Sequence, residues 1–119
     1  MSNGLNVDVI VDKLGLKVLT DNSSDRKVSS GYCCDMLSWV MSRLERDACW
    51  FTILSSMNVV AVASLTDCPL VIITEGVHVD ETVLRKARDE DVCICSTEKD
   101  TYESVCDLYT LLNQSPENI

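Results

Sequence analysis

The chain has 119 residues, 46% hydrophobic and 24% charged, with four glycines and two prolines; this is the composition of a globular domain, not of a disordered or low-complexity segment. Nineteen acidic residues against ten basic ones give a net charge of −9, which repels phosphate backbones and disfavours nucleic-acid binding. No apolar run approaches the roughly 20 residues of a membrane span, and Met1-Ser2-Asn3-Gly4-Leu5-Asn6 has no signal-peptide pattern, so residues 1–119 are expected to form a single cytoplasmic domain.

Val7, Ile10, Val11 and Leu14 fall at i, i+3, i+4 and i+7 and predict a short helix ended by Gly15. Leu16 to Leu19 reads as a strand, and Thr20 to Arg26 as a polar loop rich in turn formers. Lys27 to Cys34 fits a short strand or an extended segment. Asp35 is placed to cap a helix with Met36, Leu37, Val40, Met41 and Leu44 on one side. Cys49 to Leu54 is apolar and β-prone, a buried strand. Asn58 to Leu65 fits a strand by its Val-Val-Ala-Val-Ala run, or a short buried helix capped by Asn58; the residues alone leave both open. Leu70 to Thr74 is a near-continuous apolar run, the pattern of a strand covered on both faces. Val79, Asp80 and Leu84 have the spacing of a hydrophobic staple and open a helix to about Glu90. Val92 to Cys95 is another buried strand. Asp100 and Glu103 have capping-box spacing before a helix striped by Tyr102, Val105, Cys106, Tyr109 and Leu112. Strands separated by helices predict an α/β fold: a mainly parallel sheet of about five strands with helices on both faces.

Seven cysteines are many for this length. Their odd count, their apolar neighbours and the lack of a secretion signal argue against a disulfide framework. Cys49, Cys68, Cys93, Cys95 and Cys106 sit in or beside hydrophobic runs and are expected to be reduced, buried thiols. There is no C-x-x-C, and His78, the sole histidine, is not at ligand spacing from a cysteine. No metal and no cofactor are implied. One histidine among many serines supports no catalytic triad, and the acidic run Asp89-Glu90-Asp91 reads as solvated surface.

In a parallel sheet, ligands collect at the carboxyl ends of the strands. Thr74-Glu75-Gly76, Ser96-Thr97 and Ser55-Ser56 follow predicted strands there, in positions equally suited to turns and caps. The segment Asp25 to Asp35 adds Arg26, whose planar fork suits a carboxylate or phosphate. It also brings Ser30, Gly31, Tyr32 and Asp35; Gly31 allows close approach of a partner or a positive φ. The plainer reading has Arg26 holding the loop by pairing with a carboxylate such as Asp25 or Asp35.

At Asp25-Arg26-x-Val28-x-Ser30-Gly31-Tyr32-x-x-Asp35-Met36-Leu37-Ser38 the chain resembles DRTGG domains, with Asp-Arg-Lys-Val-Ser-Ser-Gly in place of the eponymous Asp-Arg-Thr-Gly-Gly. The resemblance continues through Trp50-Phe51-Thr52, Asn58 to Leu65, Val71 to Gly76 and Ile94 to Thr97, roughly Asp8 to Leu112 in all. It implies the helical form of Asn58 to Leu65 and a bacterial accessory module. Such modules accompany CBS-domain pyrophosphatases and phosphotransacetylases, resemble the N-terminal domain of HPr kinase, and tend to pair. The expected function is a non-catalytic regulatory or protein-interaction module acting as a homodimer. Trp39, off the apolar line of its helix, and the apolar Asn58 to Leu65 segment fit pairing. The alternative is a sensor of a nucleotide or small anionic metabolite near Arg26 and the strand-end hydroxyls. A small enzyme or thiol-redox protein stands third. The expected partners are a second copy, a regulatory protein or a small anionic metabolite, with neither nucleic acid nor membrane.

Overall fold

A computed structural model describes residues 4–20 and 25–114 of the chain. The first elements are β1 (Leu5–Asn6), α1 (Val7–Leu14), β2 (Lys17–Val18), β3 (Lys27–Val28) and β4 (Ser30–Cys33). From there helix and strand alternate through α2 (Leu37–Arg43), β5 (Ala48–Thr52), α3 (Met57–Leu65), β6 (Val71–Ile73), α4 (Glu81–Asp89), β7 (Ile94–Ser96) and α5 (Thr101–Leu112). Five strands form one sheet in the order β2-β7-β6-β5-β4. β4 to β7 are parallel and β2 runs antiparallel beside β7, while β1 and β3 form a separate antiparallel pair. This is the α/β architecture expected from the alternation.

The two faces follow from the period of two along each strand. On β5, Trp50 joins Val60, Val71, Ile73, Leu84 and Ile94 under α2, α3 and α4. Cys49 and Phe51 point the other way, to Ile10, Ile72 and Leu108 under α1 and α5. All five residues of β5 and all three of β6 are buried. Each large side chain fully removed from water contributes roughly 1.5–3 kcal/mol. The indole of Trp50 keeps its polar edge satisfied, since Nε1 donates to the Cys34 carbonyl at 2.9 Å.

The ambiguity at Asn58 to Leu65 resolves as a helix because parallel strands such as β5 and β6 need a crossover of a dozen or more residues. Ser56, not Asn58, caps it, its side chain accepting from the Asn58 amide. α1 ends as expected: Gly15 takes φ 64° and its N–H returns to Val11 and Asp12.

Several expectations need correction. Asp35 does not cap α2; the capping position is Met36, with no side-chain cap. Met36 and Met41 stand more than half exposed, and Val40 alone of that helix is fully buried. The predicted stripe of α5 faces largely outward: Tyr102 is 81% and Tyr109 70% exposed, Cys106 is exposed, and the buried positions are Ser104, Leu108 and Leu111. Tyrosine and cysteine satisfy an apolar periodicity without having to be inside. Asp100 does cap this helix, accepting from the Glu103 amide at 2.7 Å.

The expected polar loop begins with a buried residue, and residues 21–24 lie outside the described ones. The Thr20 hydroxyl donates to the Val92 carbonyl and accepts from the Ile94 amide, both at 2.8 Å, so it closes the start of β7. Thr20→Val keeps the shape and leaves buried backbone groups unpaired, so it should cost about 1–3 kcal/mol. Thr20→Ser should recover most of that loss. Urea unfolding midpoints with unchanged slope provide the measurement.

Candidate functional site

The parallel strands carry their expected ligand-binding rim at their carboxyl ends. In this protein the polar groups of that rim bind one another. Asp35 Oδ1 accepts from Thr52 Oγ1 at 2.6 Å and from the Ile53 amide at 3.0 Å. Thr74 and Thr101 share a hydrogen bond of 2.5 Å between hydroxyls. Glu75 Oε2 accepts from the Thr101 amide at 2.8 Å, and the Glu75 and Gly76 amides donate to the carbonyls of Lys99 and Thr97. Glu75 and Gly76 both take positive φ, and a Cβ on Gly76 would meet Glu98 Oε1 at 2.7 Å. Ser96 is the last residue of β7, facing Lys17 of β2, and the Thr97 hydroxyl accepts from the Lys99 amide. Asp35, Thr74, Glu75, Gly76, Ser96 and Thr97 thus gather at one end of the sheet, where most of their polar groups serve the loops.

Arg26 lies at the opposite end. Its Nη2 donates to the Asp67 carbonyl at 2.6 Å and pairs with Asp67 Oδ1 at 3.2 Å, in the turn before β6. Its partner is therefore neither Asp25, which is exposed beside it, nor Asp35. Its own carbonyl accepts from the Val7 amide. Arg26 ties β3 and α1 to the α3–β6 turn and does not meet the strand-end hydroxyls.

Ser30, Gly31 and Tyr32 belong to a third place. A cavity of about 350 Å³ lies between β4 and α5. Phe51, Val105, Leu108 and Leu112 supply its apolar wall, and Ser29, Cys33, Tyr109 and Asn113 complete it. Gly31 lacks the positive φ considered for it. A Cβ there would stand 3.2 Å from Phe51 Cε1 and 3.4 Å from Leu108 Cδ2, so the glycine allows close packing of the chain's own side chains. The sequence reading missed the α5 side of this cavity. Its signal is the Val105, Tyr109, Leu112 spacing, which fits a core stripe equally well.

The chain matches the DRTGG domain over residues 9–111. It belongs to the DRTGG domain family. The CBS and DRTGG domains of the regulatory region of Clostridium perfringens pyrophosphatase, solved with the activator diadenosine tetraphosphate, superpose with a TM-score of 0.67 at 15% identity. That match covers 92% of this chain and 46% of that one, so the chain spans about half of the other's length, and the likeness is one of fold. No curated protein matches the sequence.

Within this DRTGG domain the eponymous segment is divided between two tasks: Arg26 anchors a turn, and Ser30-Gly31 forms an edge strand beside a cavity. The thiols divide as well. Burial pushes Cys68 up to about 12 and Cys49 well above the ordinary thiol value. The hydrogen bond with Cys93, then burial, raises Cys95. Cys33, beside Asp35 and Cys34, is also raised, chiefly by burial. Among the described residues no group of three or more His, Cys, Asp or Glu is disposed to hold a metal ion.

Thiol titration at mild alkaline pH should modify the accessible Cys106, Cys34 and Cys33 in the native protein, Cys33 more slowly because its thiol pKa is raised. Cys49, Cys68, Cys93 and Cys95 should react only on unfolding, because the thiolate is the nucleophile and burial suppresses it. Mass mapping of the alkylated sites checks this. Arg26→Ala should cost about 1–2 kcal/mol, less than a fully buried charged hydrogen bond because a third of the side chain meets water. Asp67→Gly keeps the carbonyl acceptor and relieves a φ of 55°, so its unfolding midpoint should stay level or rise.

Proposed function

We propose that this chain is a non-catalytic regulatory module, one domain over residues 1–119, which pairs with a second copy and responds to a bound small molecule or partner protein. The observation that carries this reading is the closed polar network at the strand ends. A catalytic centre needs an acid, base or nucleophile facing a substrate. Here the carboxylates of Asp35, Glu75 and Asp100 bind the backbone amides of Ile53, Thr101 and Glu103. His78 is exposed and contacts Asp80 at 3.2 Å. Membership of a family with a regulatory-region relative supports the same reading. Free thiols throughout the described residues suit a reducing compartment, and we place the protein in a bacterial cytoplasm. No described helix is long and apolar enough to cross a membrane.

The pairing surface we assign to α2. Met36, Trp39 and Met41 are each at least half exposed there, and Arg43 lies 4.2 Å over the Trp39 ring. An aromatic anchor with a stacked arginine is the pattern of an interface centre. The apolar side of α3 is by contrast covered within the chain at Val59, Val60, Val62 and Ala63, while Met57, Ala61 and Leu65 are exposed. The −9 charge of each copy works against pairing, but screening at physiological salt limits it to a Debye length of about 8 Å.

The ligand-sensing reading moves from Arg26 to the cavity beside Ser30, Gly31 and Tyr32, since Arg26 and the strand-end hydroxyls occupy opposite ends of the sheet. The nucleotide bound by the pyrophosphatase relative makes a purine ring a reasonable candidate for this chain. Light scattering at physiological salt should give twice the 13.2 kDa chain mass, and Trp39→Asp should return it to the single mass with the fold intact. A monomer at high concentration would refute the pairing.

A further inference from the structure

We propose that the cavity between β4 and α5 is a binding site for an uncharged molecule with a fused-ring aromatic core. This deepens the ligand-sensing part of the reading above, and its test is separate, because the chain can pair with this cavity empty or filled.

Size sets the first limit. An apolar cavity of roughly 150 Å³ takes a single benzene ring, and ligand pockets begin near about 300 Å³. At about 350 Å³ the space exceeds one ring and admits two fused ones. Shape sets the second. Gly31 leaves the strand side of the cavity without a side chain, at the point where a Cβ would press on Phe51 and Leu108. Bare strand backbone at Gly31, with the apolar side chains of Val105 and Leu112 on the same lining, suits a planar molecule. Tyr109, 70% exposed at the same cavity, offers a ring face for stacking.

Charge sets the third. The lining contains no Asp, Glu, Lys, Arg or His. A charged ligand would lose its water there and gain no counter-charge, and the net charge of −9 adds a general repulsion of anions. The polar atoms of Ser29, Ser30 and Asn113 give an uncharged heterocycle hydrogen-bonding partners. β4 is the edge strand, so among the described residues no further strand lies beyond it.

The test titrates ¹⁵N-labelled full chain with indole, with adenosine, and with indole-3-acetate as the charged comparator. Indole or adenosine should give saturable shifts at the amides of Gly31, Cys33, Val105 and Leu112. The stronger of the two distinguishes an indole-type ligand from a purine nucleoside. Indole-3-acetate should bind at least about ten-fold more weakly than indole, a difference of about 1.4 kcal/mol. Val105→Phe, with spectral dispersion retained, should weaken binding by at least about ten-fold, since the added ring fills the cavity. In the wild type, where folding is not in question, bound indole should slow iodoacetamide alkylation of Cys33 and leave Cys106 unaffected. Absence of saturable shifts with both neutral probes at millimolar concentration would overturn the proposal. So would equal binding of indole-3-acetate, or alkylation of Cys33 that bound indole does not slow. Protection of Cys33 that rises with protein concentration without any probe would assign the cavity to a second copy, and would overturn it too.

Discussion

The structure depends on burying β5 and β6 on both faces. Their eight residues are all inside, so neither face of the central sheet can be left to water. Helices must cover both, and parallel neighbours joined by helices are the arrangement that does so with short connections. Once that is fixed, the connections are confined to the two ends of the sheet, and the sheet itself can offer exposed chemistry at those ends and at its edges. The division of Trp50 from Cys49 and Phe51 along one strand then decides which helix covers which face.

The same constraint explains why the strand-end rim is closed. Each helix after a strand begins with amides that have no partner in the helix, and several of them arrive at the carboxyl end together. The chain meets part of that demand with carboxylates and hydroxyls of its own: Asp100 and Glu75 for α5, Ser56 for α3. Acidic groups also suit the positive ends of helix dipoles. An acidic protein thus closes a rim that other α/β proteins leave open to anions. Part of the −9 charge is structural, working at short range on backbone amides.

The fold was legible in the sequence because its central strands are long apolar runs and its helices carry strong stops such as Gly15 and starts such as Asp100. The segment Asn58 to Leu65 was not legible alone, since a helix buried on most sides loses its periodicity; the need for a crossover between parallel strands decides it. Thr20 was opaque for a different reason. A threonine beside Asp, Asn and Ser has the composition of a loop, and its burial depends on Val92 and Ile94, more than seventy positions away. The site was legible in part. Thr74, Glu75, Gly76, Ser96 and Thr97 lie together at the strand ends as their place after predicted strands implies, but nothing local shows which groups their polar atoms bind. Arg26 and Asp67 lie 41 positions apart, so no short-range pattern ties them. The α5 face misled because tyrosine and cysteine count as apolar in a periodicity and as tolerable in water.

The Ser30-Gly31 step shows how a motif acquires its use from its place in the fold. Glycine near a hydroxyl and an arginine suggests a phosphate cradle, but such cradles need successive amides turned to one concave side, with αR and αL conformations alternating. Gly31 has no positive φ, and Ser30 to Cys33 pair in parallel register with Ala48 to Phe51. A strand directs successive amides to opposite sides, so this backbone cannot close around an anion. Arg26 is committed to Asp67 at the start of a different strand. What the glycine contributes is the missing side chain, which lets Phe51 and Leu108 pack close against an edge strand. Edge strands invite unwanted pairing, and β4 limits that by being four residues long. Around Ser30 and Gly31 the cavity lining carries no charged side chain, whereas Arg26 four residues earlier is held in an ion pair, so one short segment serves two chemically different surroundings.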